Sequence, residues 1–380
     1  MVLVADTKLQ FAHPAFERLG DIRWLGTSGI SRAAIADADA LLVRSETRVG
    51  KELLEGTAVR FVGTATIGTD HIDLPYLREK GIGFASAPGS NANSVAEYVV
   101  GALLELAERR SWSLAGKAIG IVGVGNVGSK VLRYATALDM QVLLNDPPLA
   151  AATHDPRYVS LDALMEADVL TLHVPLTRDG PCPTYHFFGS PRIRRMKEGA
   201  VLVNTSRGAV VETGALSDSL KGRHLGGAVL DVWEGEPGID IELLEAADLG
   251  TSHVSGYSFD GKLNAVRILF DAVARHFGIE AIWHPLRELP PPASPEIVVP
   301  ESLQGEEIIR FVVRHCYDIR ADDRALRTII GRPPSDREAT FRALRAKYGD
   351  RREFSSSTVH LPPRSYEIAW VLTTLGFQVK

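Results

Sequence analysis

Four side chains that could bind an anion or move a proton follow three predicted strands of one sheet. Arg207 follows the first strand and His253 follows the third, while the acids Glu234 and Glu236 follow the second. Because the carboxyl ends of strands line the ligand crevice of an open α/β sheet, we expect the three segments to converge. Arginine can bind a carboxylate through two N–H groups, histidine can transfer a proton near neutral pH, and a carboxylate can orient that histidine. The pattern indicates acid/base chemistry on an anionic substrate, with either acid as the partner of His253.

A glycine-rich motif lies upstream of these segments, between a predicted strand and a predicted helix. Its glycines are Gly123, Gly125 and Gly128, in the order Gly-x-Gly-x-x-Gly. In a dinucleotide-binding turn the first glycine permits the tight turn, the second lets the backbone approach a diphosphate, and the third lets the helix pack on the strand. Asn126 and Val127 stand where the helix begins, and free N–H groups at a helix N-terminus favour anions. The motif therefore predicts a dinucleotide cofactor.

The acidic residue Asp146 indicates which dinucleotide is preferred. It lies eighteen residues after Gly128, at the end of the next predicted strand. A carboxylate at this place accepts the ribose hydroxyls and repels a 2′-phosphate. Its neighbours are Asn145 and Pro147, so no arginine stands beside it to attract that phosphate. We therefore predict NAD rather than NADP.

The order of the predicted elements indicates two parallel sheets. Short apolar runs alternate with helical patterns over residues 1–90, and a second series of the same kind covers residues 118–251. Long helical patterns at residues 94–109 and 261–277 flank the second series. Strands that alternate with helices form parallel sheets through right-handed crossovers. The chain is therefore predicted to leave its first domain, build a second one and return.

A proline-rich segment at residues 284–300 predicts a further boundary, since proline disfavours helix interiors and favours an extended connection. The residues after it combine helical and strand patterns. The predicted fold class is therefore α/β, with two doubly wound parallel-sheet domains and a small α+β C-terminal module. The first domain comprises residues 1–93 and 260–285, the second residues 94–259, and the module residues 286–380.

The composition argues against several other classes of protein. The 380 residues carry 42 Lys and Arg against 47 Asp and Glu, a net charge of −5 with both signs mixed along the chain. This balance predicts neither a nucleic acid nor a membrane surface as the main partner. Cys182 and Cys316 fit neither a disulfide framework nor a zinc motif, so we expect no metal. The first ten residues do not resemble a signal peptide and no apolar run reaches about 18 residues, so we expect a soluble cytoplasmic protein.

The sequence resembles the NAD-dependent D-2-hydroxyacid dehydrogenase family. The matching stretches are Asn-Thr-Ser-Arg-Gly-Ala-Val-Val at 204–211, Leu-Asp-Val-Trp-Glu-Gly-Glu-Pro at 230–237, the His253 segment, and Asn-Ser-Val-Ala-Glu-Tyr at 93–98. One departure is Ser252, where the family usually has proline. The resemblance implies a flavodoxin-like substrate domain, a Rossmann NAD domain and a C-terminal dimerisation module.

The family pattern also implies roles for individual residues. Arg207 binds the substrate carboxylate and polarises the carbonyl, His253 is the acid/base, and Glu236 rather than Glu234 supports it. By the same resemblance, the residues that contact NAD are Asp146, Ser206, Asp231 and Gly256, and those that contact substrate are Ser45, Thr66 and Tyr257.

Further features indicate a substrate with two anionic groups. Motifs at 42–45, 61–71 and 255–262, with the long C-terminal module, resemble the family members that act on a small phosphorylated hydroxy acid. Such a substrate needs a second anion-binding group besides Arg207, and Arg44 with Ser45 is the candidate. Glu46 departs from the apolar residue expected there, and His71 is expected to hydrogen-bond a loop. The alternatives are another dehydrogenase of the family, such as one acting on 3-phosphoglycerate, and an NAD(H)-sensing binding protein on the same fold.

The C-terminal module is predicted to make a homodimer rather than to complete the active-site fold. Its helical patterns have apolar faces that include Ile308, Phe311 and Val312, which so small a module would struggle to bury alone. A two-fold dimer is the commonest closed arrangement that would cover them. The alternative is a tail packed on its own chain. In a dimer, Arg351 and Arg352 could reach a substrate phosphate.

Overall fold

The computed structural model describes residues 1–283, 285, 289–349, 351–363 and 365–380. These residues form two compact units, the first made of residues 1–91 and 258–290 and the second of residues 92–257 and 291–380. The predicted boundary between residues 285 and 286 lies partly outside the described residues.

Both units are built from parallel strands and connecting helices. The strands are β1 (Val2–Asp6), β2 (Asp21–Leu25), β3 (Ala40–Val43), β4 (Phe61–Thr64), β5 (Gly83–Ala85), β6 (Ala118–Val122), β7 (Gln141–Asn145), β8 (Val169–Leu172), β9 (Val201–Asn204), β10 (Gly227–Leu230), β11 (Leu249–Gly250), β12 (Glu296–Val298), β13 (Thr358–His360) and β14 (Gln378–Val379). The helices are α1 (His13–Phe16), α2 (Lys51–Leu54), α3 (Leu74–Glu79), α4 (Ala92–Arg110), α5 (Gly128–Ala137), α6 (Pro147–Thr153), α7 (Leu161–Leu164), α8 (Ser190–Ile193), α9 (Thr213–Lys221), α10 (Ile241–Ala246), α11 (Phe259–Phe277), α12 (Glu306–Cys316), α13 (Ile319–Arg327), α14 (Pro334–Ala346) and α15 (Tyr366–Leu375).

The first unit contains a five-stranded parallel sheet in the order β2-β1-β3-β4-β5. This order is that of flavodoxin-like folds. Strands β3 and β4 are buried along their whole length, as expected of strands covered on both faces. Helix α11 covers one face, since Leu269 and Phe270 share a core with Leu3 and Leu42.

The second unit contains a six-stranded parallel sheet in the order β11-β10-β9-β8-β6-β7. Strand β6 pairs with β7 on one side and with β8 on the other. The direction of the strand order therefore reverses beside β6, which is where open α/β sheets bind ligands. The two parallel sheets with their connecting helices confirm the predicted α/β fold class.

The C-terminal segment, residues 291–380, packs on the rest of the second unit. It contains a three-stranded parallel sheet, β12-β13-β14, with α12 to α15. Ile308 and Val312 are buried in the core that also contains Tyr98 and Leu103 of α4, and Phe311 is partly buried against it. The apolar faces that suggested a dimer are thus covered within one chain. That argument for a dimer was wrong because α4 and α5 offer these helices an apolar surface.

Within the described part of the chain, none of the helices combines the length and the apolar character needed to cross a lipid bilayer.

Candidate active site

His253 and Glu236 form a hydrogen-bonded pair. The Nδ1 atom of His253 lies 2.5 Å from Oε1 of Glu236, and both side chains are partly accessible, at 30% and 24% exposure. The second oxygen of Glu236 accepts the backbone N–H of Trp233 at 3.2 Å. Burial raises the pKa of Glu236, but the hydrogen bond from His253, the charges of His253 and Arg345, and the Trp233 N–H lower it on balance. The pair therefore has an ionised carboxylate behind an accessible imidazole.

The other acid of this segment has a different partner. Glu234 Oε1 lies 2.5 Å from Nε2 of His186, and its second oxygen accepts the backbone N–H of Thr213 at 3.2 Å. This segment thus takes part in two separate His–Glu pairs, and it is Glu236 that contacts His253. The choice between the two acids, which spacing alone left open, follows from these contacts.

The loop that carries His253 is held by the buried carboxylate of Asp231. This side chain is 0% exposed, and it accepts the hydroxyl of Thr251 at 2.6 Å and the N–H groups of Val254 and Ser255 at 2.7 and 3.1 Å. The backbone carbonyl of Asp231 accepts the N–H of His253 at 2.7 Å. These bonds hold His253 at φ +59°, in the left-handed region that residues other than glycine rarely adopt.

A tyrosine of α4 extends this network. The hydroxyls of Tyr98 and Thr251 lie 2.9 Å apart. Since Thr251 donates its hydrogen to Asp231, Tyr98 donates to Thr251. Burial raises the pKa of Tyr98 well above its usual range, so the phenol keeps that hydrogen. Sequence reasoning placed Tyr98 in a family motif but gave it no role.

Arg207 lies on a loop stabilised by Asn204. The Asn204 Oδ1 atom accepts the N–H and the hydroxyl of Ser206 at 3.0 and 2.8 Å, and its Nδ2 donates to the carbonyl of Arg207 at 3.0 Å. A β-carbon at Gly208 would lie 1.9 Å from the carbonyl carbon of Trp233. The Arg207 loop therefore packs directly on the turn that carries Glu236, and only glycine fits at position 208.

Trp233 links the segments that carry Glu236 and His253. Its backbone N–H is bonded to Glu236, and its buried indole N–H donates to the carbonyl of Thr251 at 2.8 Å. The residue thus holds the turn of Glu236 against the loop of His253. Sequence analysis assigned it no function, although a tryptophan in the turn that follows a predicted strand is a signal that could have been used.

The glycine-rich turn has space for a dinucleotide diphosphate at one of its three glycines. Gly123 has φ +85°, and a β-carbon there would lie 2.6 Å from the carbonyl of His173. A β-carbon at Gly128 would lie 2.0 Å from the carbonyl of Gly123, whereas one at Gly125 would meet nothing within 4 Å. The backbone N–H groups of Gly125, Asn126 and Val127 have no hydrogen-bond partner among the described residues. There is thus no room for a side chain at Gly123 and Gly128, while Gly125 is open and has these unpaired backbone N–H groups around it. This arrangement fits the diphosphate of NAD.

Asp146 lies beside this turn, at the carboxyl end of β7. One carboxylate oxygen caps α6 by accepting the N–H of Leu149 at 3.0 Å, and the other accepts the N–H of Val124 at 2.8 Å. The carboxylate is therefore fixed next to the glycine-rich turn, where sequence analysis placed the ribose contact. The contacts with ribose remain a prediction.

Three further predicted contacts lie around the catalytic loops of the second unit. Ser206 is buried and its hydroxyl is bonded to Asn204, while Gly256 lies partly buried between Ser255 and Tyr257. Asp231 is fully buried and holds the His253 loop, so its most evident role is structural. Contacts of these residues with NAD stay predictions.

The C-terminal segment contacts the segment that follows His253, which sequence analysis did not anticipate. Arg351 donates to the carbonyls of Tyr257 and Ser94 at 2.9 and 2.5 Å, and Arg345 donates to the Tyr257 hydroxyl at 3.3 Å. The Tyr348 ring packs edge-on against Tyr257, with 5.8 Å between centroids. The prediction that the tail takes no part in the active-site fold was wrong. Arg351 is buried among backbone carbonyls, so its structural role replaces the conjectured contact with phosphate.

The remaining substrate candidates lie in the first unit, at the carboxyl edge of its sheet. Arg44 and Ser45 directly follow β3, and Thr66 follows the adjacent strand β4. Ser45 is exposed and Arg44 is partly exposed. The Thr66 hydroxyl lies 2.9 Å from the hydroxyl of Thr64 and donates to the carbonyl of Gly68 at 2.9 Å.

Two other residues noted in the sequence have local partners in this unit. His71 Nε2 lies 2.9 Å from the hydroxyl of Thr64, which agrees with the loop role expected for it. Burial lowers the pKa of His71, so the ring is neutral at pH 7. Glu46 forms an ion pair with Lys8.

No group of three or more His, Cys, Asp or Glu side chains that could hold a metal ion is found in the described ranges.

Comparisons with known proteins define the class of this chain. Residues 94–255 match the D-isomer specific 2-hydroxyacid dehydrogenase NAD-binding domain, and residues 288–376 match a domain of unknown function, DUF3410. A formate dehydrogenase from Staphylococcus aureus in complex with NAD is 26% identical, with a TM-score of 0.60 over 75% of this chain and 98% of that one. A D-lactate dehydrogenase from Aquifex aeolicus, in complex with NAD and lactic acid, is 26% identical, with a TM-score of 0.59 over 73% of this chain and 96% of that one. The second unit thus contains the NAD-binding domain of this class, as predicted.

Curated relatives narrow the class to one family. The erythronate-4-phosphate dehydrogenase of Chromohalobacter salexigens is 44% identical over 100% of this chain and 99% of its own length. That of Salinibacter ruber is 45% identical over 94% of this chain and 93% of its own length. The chain belongs to the erythronate-4-phosphate dehydrogenase family.

The charge of Asp146 is expected to set the preference for NAD. Asp146→Asn keeps a side-chain oxygen that can cap α6 but removes the charge that repels a 2′-phosphate. Losing about 1.4 kcal/mol of repulsion between Asp146 and the 2′-phosphate corresponds to about a tenfold increase in the affinity for NADP. We therefore expect the ratio of kcat/KM for NAD to that for NADP to fall by about tenfold. Asp162→Asn, at an exposed aspartate on α7, is the control and leaves the ratio unchanged. Equal kcat/KM for both cofactors in the unmodified protein would contradict the prediction.

Proposed function

We propose that this protein oxidises 4-phospho-D-erythronate at C2, with NAD as the hydride acceptor. The product is 3-hydroxy-2-oxo-4-phosphooxybutanoate, and the reaction belongs to pyridoxal phosphate biosynthesis. The observation that carries the proposal is the His253–Glu236 pair, next to a turn on which the Arg207 loop packs. The full-length similarity to erythronate-4-phosphate dehydrogenases supports the choice of substrate.

The proposed acid/base is the Nε2 atom of His253. An ionised carboxylate only accepts hydrogen bonds, so Nδ1 of His253 donates the hydrogen to Glu236. Nε2 then has a free lone pair and takes the proton of the C2 hydroxyl. The imidazolium that results is stabilised by the Glu236 carboxylate.

Arg207 is proposed to bind the substrate carboxylate and to stabilise the developing C2 carbonyl oxygen. The chemistry that bound NAD would supply is acceptance of the hydride from C2. Loss of that hydride and of the hydroxyl proton leaves the C2 carbonyl, so the reaction is balanced. Gly125, Asn126, Val127 and Asp146 would hold the cofactor.

The proposed substrate contacts in the first unit are Arg44, Ser45 and Thr66, and Tyr257 is proposed as a contact in the second unit. Arg44 and Ser45 lie at a strand end beside Thr66 and have accessible side chains. A positive residue and a hydroxyl are suited to an anionic group of the substrate.

Comparison of two phosphorylated acids tests the proposed substrate. We expect kcat/KM to be at least about tenfold higher for 4-phospho-D-erythronate than for 3-phosphoglycerate, because a site shaped for one carbon skeleton discriminates on that scale. The measurement is NADH formation at 340 nm. A preference for 3-phosphoglycerate would assign the chain to the alternative enzyme. NADH binding without turnover of either acid would favour the NAD(H)-sensing alternative.

The second His–Glu pair provides a matched control for the acid/base assignment. His253→Gln should bind NADH normally but lose at least about 100-fold in kcat, the usual scale of acid–base catalysis. His186→Gln breaks the pair with Glu234 instead and should keep nearly normal turnover. Fluorescence titration gives NADH binding, and initial rates give kcat. Near-normal turnover of His253→Gln would remove His253 from the mechanism.

We also propose a cytoplasmic homodimer that uses the C-terminal module, residues 286–380, as its third domain. Helix α15 of this module exposes two aromatic side chains one turn apart, Tyr366 at 83% and Trp370 at 58% exposure. Exposed aromatic residues on one helix face are typical of an interface. Cys182 and Cys316 are both free, which suits a reducing compartment.

The assembly can be tested by a charge at the proposed interface. Truncation before the module would expose the shared core, so a surface variant is the cleaner test. Trp370→Glu should convert a particle of twice the chain mass into a monomer, measured by light scattering, because an interfacial tryptophan usually contributes strongly to binding. Ile282→Glu, at an exposed apolar residue of the first unit, is the control and remains dimeric. A dimer that survives Trp370→Glu would place the interface elsewhere.

A further inference from the structure

Helix α14 of the C-terminal segment lies along the turn that carries Glu236. Phe341 is buried in one core with Trp233 and Ile239, which flank that turn. A β-carbon at Gly238 would lie 3.2 Å from the Glu338 carboxylate, so the first half of the helix also touches the turn. The last turn of α14 carries Arg345 to the Tyr257 segment, next to the proposed active site.

Arg345 has hydrogen-bonding capacity that the described residues do not use. Its guanidinium has five donors, yet the described residues accept one hydrogen bond from it, at 3.3 Å by the Tyr257 hydroxyl. Its Nε atom is buried and has no hydrogen-bond partner in this part of the chain. Arg342 differs, since it forms an ion pair with Glu338 at 3.0 Å. Arg351 also has a buried Nε without a partner, but its terminal N–H groups are bonded to backbone carbonyls. A buried donor without a partner is uncommon and calls for an acceptor.

The positive charge of Arg345 acts on the His253–Glu236 pair. It is one of the charges that lower the pKa of Glu236 against the effect of burial. No described acidic side chain lies within ion-pair distance of Arg345, so this charge is not neutralised by a salt bridge there. An anionic group of the substrate is the ligand that such a cation would attract.

We infer that Arg345, supported by the Tyr257 hydroxyl, binds the phosphate group of the substrate. This inference rests on the proposed function and extends it by naming a phosphate-binding residue. Arginine suits a phosphate monoester because two of its N–H groups can bond two oxygens at once. Arg207 is already assigned to the carboxylate, so Arg345 takes the phosphate role for which the sequence offered Arg44 as the candidate. On this view the C-terminal segment supplies a specificity residue to the active site.

The test compares a phosphorylated and an unphosphorylated substrate in two variants. Hydrogen bonds to charged groups contribute about 1.5–3 kcal/mol, or roughly 10- to 150-fold. Arg345→Met should therefore lower kcat/KM for 4-phospho-D-erythronate by about that factor, mainly through KM, while kcat/KM for D-erythronate changes little. Arg345→Lys, which keeps the charge but loses the two-pronged geometry, should be intermediate. Arg342→Met, on the exposed side of the same helix, is the control and behaves like the unmodified protein.

An equal decrease in kcat/KM for both acids would show that Arg345 only positions Tyr257, and this result would overturn the inference. An unchanged kcat/KM for both acids would also overturn it. If Arg345→Met does not fold, the same comparison is made with Arg345→Lys and Arg345→Gln. A direct binding measurement avoids turnover altogether. With NADH present, inorganic phosphate should raise the melting temperature of the unmodified protein and of Arg342→Met, but not that of Arg345→Met.

The two proposals fail in different ways. An unmodified protein that does not oxidise 4-phospho-D-erythronate contradicts the proposed function, and the thermal shift with phosphate then decides the role of Arg345 alone. An active unmodified protein whose Arg345 variants do not distinguish the two acids contradicts only the present inference.

Discussion

The buried carboxylate of Asp231 determines the shape of the loop that carries His253. It accepts hydrogen bonds from Thr251, Val254 and Ser255, and these bonds bracket His253 on both sides. A left-handed conformation at a residue other than glycine costs about 1–3 kcal/mol. Each hydrogen bond to a charged group contributes about 1.5–3 kcal/mol, so three of them outweigh that cost. The strained backbone at His253 is thus a consequence of a satisfied buried charge.

The supports of this loop come from parts of the chain that are far apart in sequence. Tyr98 of α4 reaches Asp231 through Thr251, Trp233 binds the carbonyl of Thr251, and Arg351 binds that of Tyr257. Each of these bonds involves a buried or largely buried donor, which has no water to bond instead. The loop is therefore held by several elements at once, which suits the role proposed for His253, since an acid/base must present one nitrogen in a fixed position.

The elements that the sequence predicted well have a strong local signal. Strands such as β3 and β9 consist of consecutive apolar residues, with a single polar residue at the end of β9. The spacing of Gly123, Gly125 and Gly128 is characteristic of a dinucleotide-binding turn. Strand β2 has a weaker local signal because it lies at the sheet edge, where Asp21 and Arg23 interrupt the apolar pattern. The partner of His253 could not be predicted from spacing, because Glu234 and Glu236 are only two residues apart in sequence. The folded turn directs their side chains to different histidines.

Contacts between distant segments were the least predictable part. Arg345 and Tyr257 are 88 residues apart, and nothing in the local pattern of α14 distinguishes Arg345 from Arg342. The apolar faces of α12 were recognised, but the surface that covers them belongs to α4, about two hundred residues earlier. Hydrophobic periodicity shows that one face of a helix must be buried, but it does not show which segment covers that face.

The core shared by α4 and the C-terminal segment has a consequence for synthesis of the chain. The backbone N–H of Phe354 is bonded to Glu97, 257 residues away, and Ser94 is bonded to Glu353 across a similar separation. A ribosome releases the N-terminal residues first, so the apolar side of α4 stays uncovered until residue 354 has emerged. The sheet of the first unit likewise waits for α11 before one of its faces is closed. During most of its translation the nascent chain therefore exposes apolar surface of two incomplete cores. Chaperones and proteases can bind that surface throughout this interval.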